Sequence, residues 1–133
     1  MGADLEVGID ERRRLNQLVA ERVGFRTEKW GEYDHRLVNP RGEGVGNLCA
    51  RAEMCHLLYD PDFARSMDAW LEWGLPWMSK PEQHIWWEIA SLATPDGAEV
   101  AIEHDGRWLQ MEGPLATLPL LLSRLVEKLS GEA

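Results

Sequence analysis

The sequence predicts an α+β fold in which a three-stranded antiparallel sheet packs against amphipathic helices. Several stretches repeat apolar residues at helical spacing between helix caps. The segments "HIWWEIASL", "GAEVAIEH" and "RWLQME" have the composition of consecutive strands joined by turn formers. A length of 133 residues, with 44% apolar and 28% charged residues, suits one globular domain. We therefore treat residues 1–133 as a single domain.

The first element is a helix over about residues 11–23. Asp10 is a good N-cap, Leu15 and Val19 lie on one apolar stripe, and Gly24 ends the pattern. The three consecutive arginines in its first turn are expected to point to solvent.

The next segment has no clear period. Residues 25–46 contain the turn formers "NPRGEGVG", which predict a long loop or a ragged hairpin. Residues 47–58 predict a short helix capped by Asn47. A long loop or insertion is therefore expected at about 25–58.

The stretch "YDPDFARSMDAWLEWG" gives the clearest helix pattern in the chain. Asp60 is placed as N-cap, Pro61 as the first helical residue and Gly74 as the end. The predicted apolar stripe is Phe63, Met67, Trp70 and Leu71.

Three strands and a closing helix follow. The Asp-Gly pair in "HDGR" is a strong hairpin signal. In the first strand, Ile85 and Trp87 are expected on one face and Trp86 and Glu88 on the other. The segment "TLPLLLSRLVEKL" predicts a final helix with Thr117 as N-cap.

Charge is concentrated in the strand region. Residues 82–112 hold seven carboxylates against the single base Arg107, in a chain of net charge -9. A phosphate backbone would be repelled there, so we expect no direct nucleic-acid binding. A basic protein partner would be attracted. The acids predicted to bind it are Glu88, Glu99, Glu103 and Glu112.

Tryptophan is concentrated in "AWLEWGLPWMSKPEQHIWW", which holds five of the seven indoles. Trp70 and Trp87 fit apolar stripes and are assigned to the core. Trp73, Trp77 and Met78 fit no stripe, so they are predicted to form an exposed aromatic patch for a partner, with sealing of the sheet end as the alternative.

Other classes of function find less support. No apolar run of about 18 residues and no export signal is present, so a cytoplasmic protein without a membrane anchor is expected. Cysteine and histidine at Cys49, Cys55, His56 and His84 leave a zinc-binding or catalytic module as an alternative, although their spacing matches no established zinc motif. The segment "RGEGVG" lacks the residues of a phosphate loop. We expect no cofactor and no enzymatic activity.

Two segments resemble the phage ABA sandwich domain, a family of small bacteriophage proteins. They are "LNQLVAERVGF" near the start and "YDPDFARSMDAWLEW" in the middle, followed by "DGRW" and a leucine-rich helix in the family's order. The resemblance implies an alpha-beta-alpha sandwich, with the sheet covered on both faces, and a phage origin. It implies no reaction and no catalytic residue. The segment "RGEGVGNLCARAEMCHLL" and the high tryptophan content depart from the family.

These features together predict a small acidic phage protein that acts in the host cytoplasm by protein–protein interaction. Inhibition of a host nucleic-acid-handling or defence machine is one concrete form, because rows of carboxylates can occupy a basic groove built for phosphates. A self-assembling structural phage protein, and thus a homo-oligomer, is a further alternative.

Overall fold

The computed structural model describes residues 8–58, 61–91 and 97–131, and the α+β class is confirmed. In chain order the elements are α1 (Ile9–Val23), β1 (Arg26–Trp30), β2 (Asp34–Val38), β3 (Gly44–Cys49), α2 (Ala52–Leu58), α3 (Met67–Ala69), a π-helical turn (Trp70–Gly74), α4 (Leu75–Met78), a 3₁₀ turn (Pro81–Gln83), β4 (Ile85–Ser91), β5 (Gly97–His104), β6 (Arg107–Pro114), a second 3₁₀ turn (Leu115–Thr117) and α5 (Leu118–Gly131).

Helix α1 matches its prediction except at the start. It begins at Ile9 after Gly8, so the assignment of Asp10 as N-cap is wrong and Asp10 lies in the first turn. The helix ends at Gly24, whose φ of 119° is available to glycine without steric cost and whose N–H bonds to the carbonyl of Ala20.

The segment predicted as a long loop or a ragged hairpin forms a second antiparallel sheet, ordered β1-β2-β3, in which β1 and β2 make the hairpin. The sequence did not indicate three separate strands, because β1 is mostly polar and β3 contains two glycines, so neither alternates apolar and polar residues. A Cβ at Gly44 would overlap the guanidinium of Arg36, so a larger residue there would have to displace the end of that side chain. Asn47 lies within β3 and does not cap a helix, which begins instead at Ala52.

The predicted central helix starts later and ends later than expected. Asp60 lies outside the described residues. Asp62 is not helical, because its carboxylate accepts hydrogen bonds from Asn16 at 2.9 Å and Arg12 at 3.2 Å. Ser66 caps the helix instead, with its hydroxyl accepting from the N–H of Ala69 at 3.2 Å.

The helix also continues past Gly74, the predicted end, to Met78 through the π-helical turn. Gly74 lies so close to the indole of Trp70 that a Cβ would overlap the ring. Leu71 is exposed, so it does not share the buried stripe of Phe63 and Trp70. The predicted periodicity breaks because Phe63 precedes the helix, which begins at Met67, and because the π turn shifts the phase of the residues that follow it.

The three predicted strands form the second sheet, ordered β4-β5-β6. Asp105 and Gly106 make the two-residue hairpin turn with φ of 53° and 83°, as the Asp-Gly signal predicts. Helix α5 follows directly after Thr117 and packs on β5 and β6.

The helices lie between the two sheets. Helix α5 contacts α1, α1 contacts α2, and α2 contacts β2 and β3. The buried core includes Phe63, Trp70, Val100, Ile102 and Leu122. In the described part of the chain, no helix is both long and apolar enough to cross a membrane.

Candidate protein-binding face

The four carboxylates predicted to bind a partner lie on one face of the β4-β5-β6 sheet. In an antiparallel sheet, residues paired across strands point to the same side. Glu99 pairs with Glu112 on β6 and with Ala90 on β4, while Glu103 lies two residues farther along β5. Glu88 pairs with Ala101, between the two β5 acids. The register therefore groups the acids as the sequence predicts.

We call this side of the sheet the open face. Its side chains are Trp86, Glu88, Ala90, Glu99, Ala101, Glu103, Trp108, Gln110 and Glu112. Trp86 is 45% exposed and Trp108 is 63% exposed, so the expectation that a second layer covers this face is wrong for the described residues. The opposite face, with Val100 and Ile102, is buried beneath α5.

A tryptophan pair stands at one end of the open face. Trp86 on β4 and Trp108 on β6 both pair with Glu103 on the central strand. Their ring centroids are 5.2 Å apart at 64°, an edge-to-face contact. Neither residue was predicted to bind a partner. The sequence of the hairpin turn could have indicated the position of Trp108, because a two-residue Asp-Gly loop places Trp108 opposite Glu103.

The electrostatics of the open face are uniformly negative. In the described strand residues, its outward positions hold four carboxylates and no basic side chain. None of these four acids forms an ion pair within the described residues. Glu103 accepts a hydrogen bond from the N–H of Gly106 at 2.7 Å, and Gln110 donates to Glu99. These bonds orient the carboxylates without neutralising them.

The predicted patch of Trp73, Trp77 and Met78 does not form a surface. Trp77 and Met78 are buried, because the helix continues past Gly74 and turns both side chains into the core. Trp73 is half-buried, with its ring 5.1 Å from that of Phe25 and covered by the guanidinium of Arg41 at 4.7 Å. Trp77 and Met78 are buried on helix α4, which contacts β4, in agreement with the alternative that these residues seal the end of the sheet.

The residues of the alternative zinc site are mostly interior. Cys49 and Cys55 are buried thiols, and the thiol of Cys55 donates to the carbonyl of His35 at 3.9 Å. Burial and the neighbouring Cys49 raise the pKa of Cys55 to about 12. Burial lowers the pKa of His56. His84 is exposed and adjoins β4 on the other sheet. Among the residues with described positions, no group of three or more His, Cys, Asp or Glu side chains is placed to hold a metal ion.

A shallow cavity of about 280 Å³ lies beside the π-helical turn. Asp68, Glu72 and Trp73 contribute to its wall. Asn39, also in the wall, directs its amide to Glu43 and accepts from the N–H groups of Arg41 and Glu43. Its polar groups are thus engaged within the loop, so the open face is the stronger candidate for binding.

No family model, curated protein or solved structure matches this chain. The resemblance to the phage ABA sandwich family stays a prediction carried by the residues quoted above.

Proposed function

We propose that this protein acts by binding a host or phage protein with a basic surface through the open face, and not by catalysis. The observation that carries the proposal is the grouping of four carboxylates and two exposed indoles on one side of a sheet. Binding surfaces are enriched in tryptophan at their energetic centres, and charge complementarity sets specificity and association rate. The open face has both features.

The charge of the face selects the class of partner. Glu88, Glu99, Glu103 and Glu112 would repel nucleic acid and attract lysine and arginine. A basic groove that holds a phosphate backbone is one such surface, because carboxylates can replace phosphates as its counter-charges. We therefore favour a phage inhibitor of a nucleic-acid-handling or defence protein, acting in the host cytoplasm.

The experiment compares capture of host proteins by the wild-type chain and by two triple variants. The test variant carries Glu→Gln at Glu88, Glu99 and Glu103. The control variant carries Glu→Gln at three exposed acids elsewhere, Glu21, Glu32 and Glu72. Both variants lose the same charge, so a nonspecific effect of net charge would affect them equally.

The proposal expects a captured protein with a basic surface that is retained by the control variant and lost by the test variant. Its retention should fall with salt, because exposed charges are screened beyond about 8 Å at physiological ionic strength. Equal retention by the test and control variants would contradict the proposal. Sedimentation of the purified chain alone tests self-assembly, and metal analysis tests the zinc-binding alternative.

A further inference from the structure

The size of the open face points to the shape of its partner. Three strands of up to eight residues span roughly 14 Å by 26 Å from the usual strand spacing and rise. A standard interface takes about 800 Å² from each partner. The sheet face alone is thus too small for a standard interface between two globular proteins. Its dimensions suit a single extended segment lying along the strands.

The tryptophan pair supplies a seat for a planar cation. Aromatic faces are negative, and a cation over an indole is attracted by the ring quadrupole. The carboxylate of Glu103 lies between the strands that carry Trp86 and Trp108, and its bond to the N–H of Gly106 fixes its orientation. A guanidinium placed against the indoles would also reach this carboxylate.

Arginine fits this seat better than lysine. Its guanidinium is planar, stacks on aromatic rings and can bond a carboxylate through two N–H groups. The ammonium of lysine is a compact, strongly hydrated point charge that gains less from an indole face.

The remaining acids are spaced at intervals of two residues along the strands. The row of Trp86, Glu103 and Trp108 is followed by the row containing Glu88, and then by the row with Glu99 and Glu112. Side chains two residues apart in a strand are about 6.7 Å apart. Alternate side chains of an extended segment have the same spacing.

We propose that the open face binds an extended segment of its partner in which arginine contacts the tryptophan pair and Glu103, and further basic residues at every second position meet the acids beyond. The inference rests on the proposed function and specifies the partner's chemistry. The small Ala101, which is nearly buried, leaves room for such a segment at the centre of the face.

The test uses three synthetic peptides of equal charge. The first alternates three arginines with serines, the second replaces arginine by lysine, and the third has the three arginines in a block. Titration at low salt should show the alternating arginine peptide binding roughly fivefold tighter than its lysine counterpart, because the guanidinium adds ring stacking and a paired bond to the carboxylate that an ammonium cannot make. It should also bind more tightly than the block peptide.

Variants of the exposed tryptophans identify the seat. Trp108→Leu should abolish the preference for arginine over lysine while leaving the fold intact, since the side chain is largely exposed. The matched control is Trp30→Leu, an exposed tryptophan of β1 that lies on the other sheet and already contacts Arg36. This control should retain the full preference.

Each outcome separates the inference from the proposed function. Equal binding of all three peptides, unaffected by Trp108→Leu but lost with the Glu88, Glu99 and Glu103 triple variant, would overturn the arginine seat and leave an acidic binding face. Failure of all three peptides would overturn the segment inference, whereas the proposed function would still be judged by the captured protein. Association of two copies through Trp108, seen as a dimer that Trp108→Leu dissociates, would also overturn the inference.

Discussion

The substitution Glu112→Gln is expected to stabilise the fold while weakening partner binding. Glu112 faces Glu99 directly across β5 and β6, and no basic side chain occupies the outward strand positions described around them. Directly opposed side chains have Cβ atoms about 5 Å apart, and like charges there destabilise a sheet. Removing one charge should relieve this repulsion.

The magnitude follows from Coulomb's law. Two unit charges about 5.5 Å apart in water repel by roughly 0.75 kcal/mol. Because Glu112 is exposed, the free energy of unfolding should rise by about 0.5 kcal/mol at low salt, within the range measured for cross-strand pairs. At 1 M salt the screening length falls to about 3 Å, so most of the gain should disappear.

Urea denaturation at 20 mM and 1 M sodium chloride measures both effects. Glu28→Gln is the matched control, because Glu28 lies opposite Arg36 and also pairs with Arg26 at 2.8 Å. The same substitution should there leave stability unchanged or lower it slightly. The reasoning is refuted if Glu112→Gln destabilises the protein, or if its gain is equally large in 1 M salt.

Three further predictions concern the fold that supports the face. Asn16→Leu should lower the free energy of unfolding by about 2–4 kcal/mol in urea denaturation. Asn16 is fully buried, and leucine would remove its three hydrogen bonds, to the carbonyl of His56, the carboxylate of Asp62 and the N–H of Ala64. A loss below about 1 kcal/mol would contradict this. Gly74→Ala should lower the free energy of unfolding by about 1–3 kcal/mol in the same assay, since the added Cβ would overlap Trp70. An unchanged denaturation midpoint would show that the π turn adapts freely. Burial lowers the pKa of His56 below its ordinary value, so the folded state binds the proton less readily than the unfolded state. The free energy of unfolding should therefore fall as the pH drops below about 6.5, the ordinary pKa of histidine. His56→Leu should reduce the change of melting temperature between pH 7 and 5, and an unaltered slope would assign the effect to other groups.

The parts of the fold that the sequence predicted correctly are those where local signals and burial agree. The β5–β6 hairpin has a turn that only a few dipeptides favour, and β5 alternates apolar and polar residues because one side faces α5. The start of the central helix was predicted wrongly because its local sequence pattern and its tertiary contacts disagree. Asp62 looks like a residue of a first helical turn, but it is held by Asn16 and Arg12 from α1, a tertiary contact that no local pattern contains.

The sequence analysis predicted the acidic residues of the candidate site but did not predict its tryptophan pair. Strand alternation places Glu99 and Glu103 on one face without knowledge of the rest of the fold. Whether Trp86 is covered depends on which elements pack over it, and therefore on how the sheets and helices of the fold stack. Trp77 was misplaced because a π turn carries the helix through Gly74, and one added residue per turn changes the direction of every side chain that follows.

The open face combines two features that do not stabilise the fold. Exposing about half of two tryptophans leaves roughly 200 Å² of ring surface in water, which forgoes about 5 kcal/mol of burial. The opposed pair Glu99 and Glu112 adds repulsion. Single exposed side chains such as Leu71 are ordinary on protein surfaces, but two indoles in contact beside a group of like charges form a patch of the kind that marks binding sites. Neither feature improves the packing of the described core, and both agree with the proposed partner, which would cover the rings and carry the opposite charge.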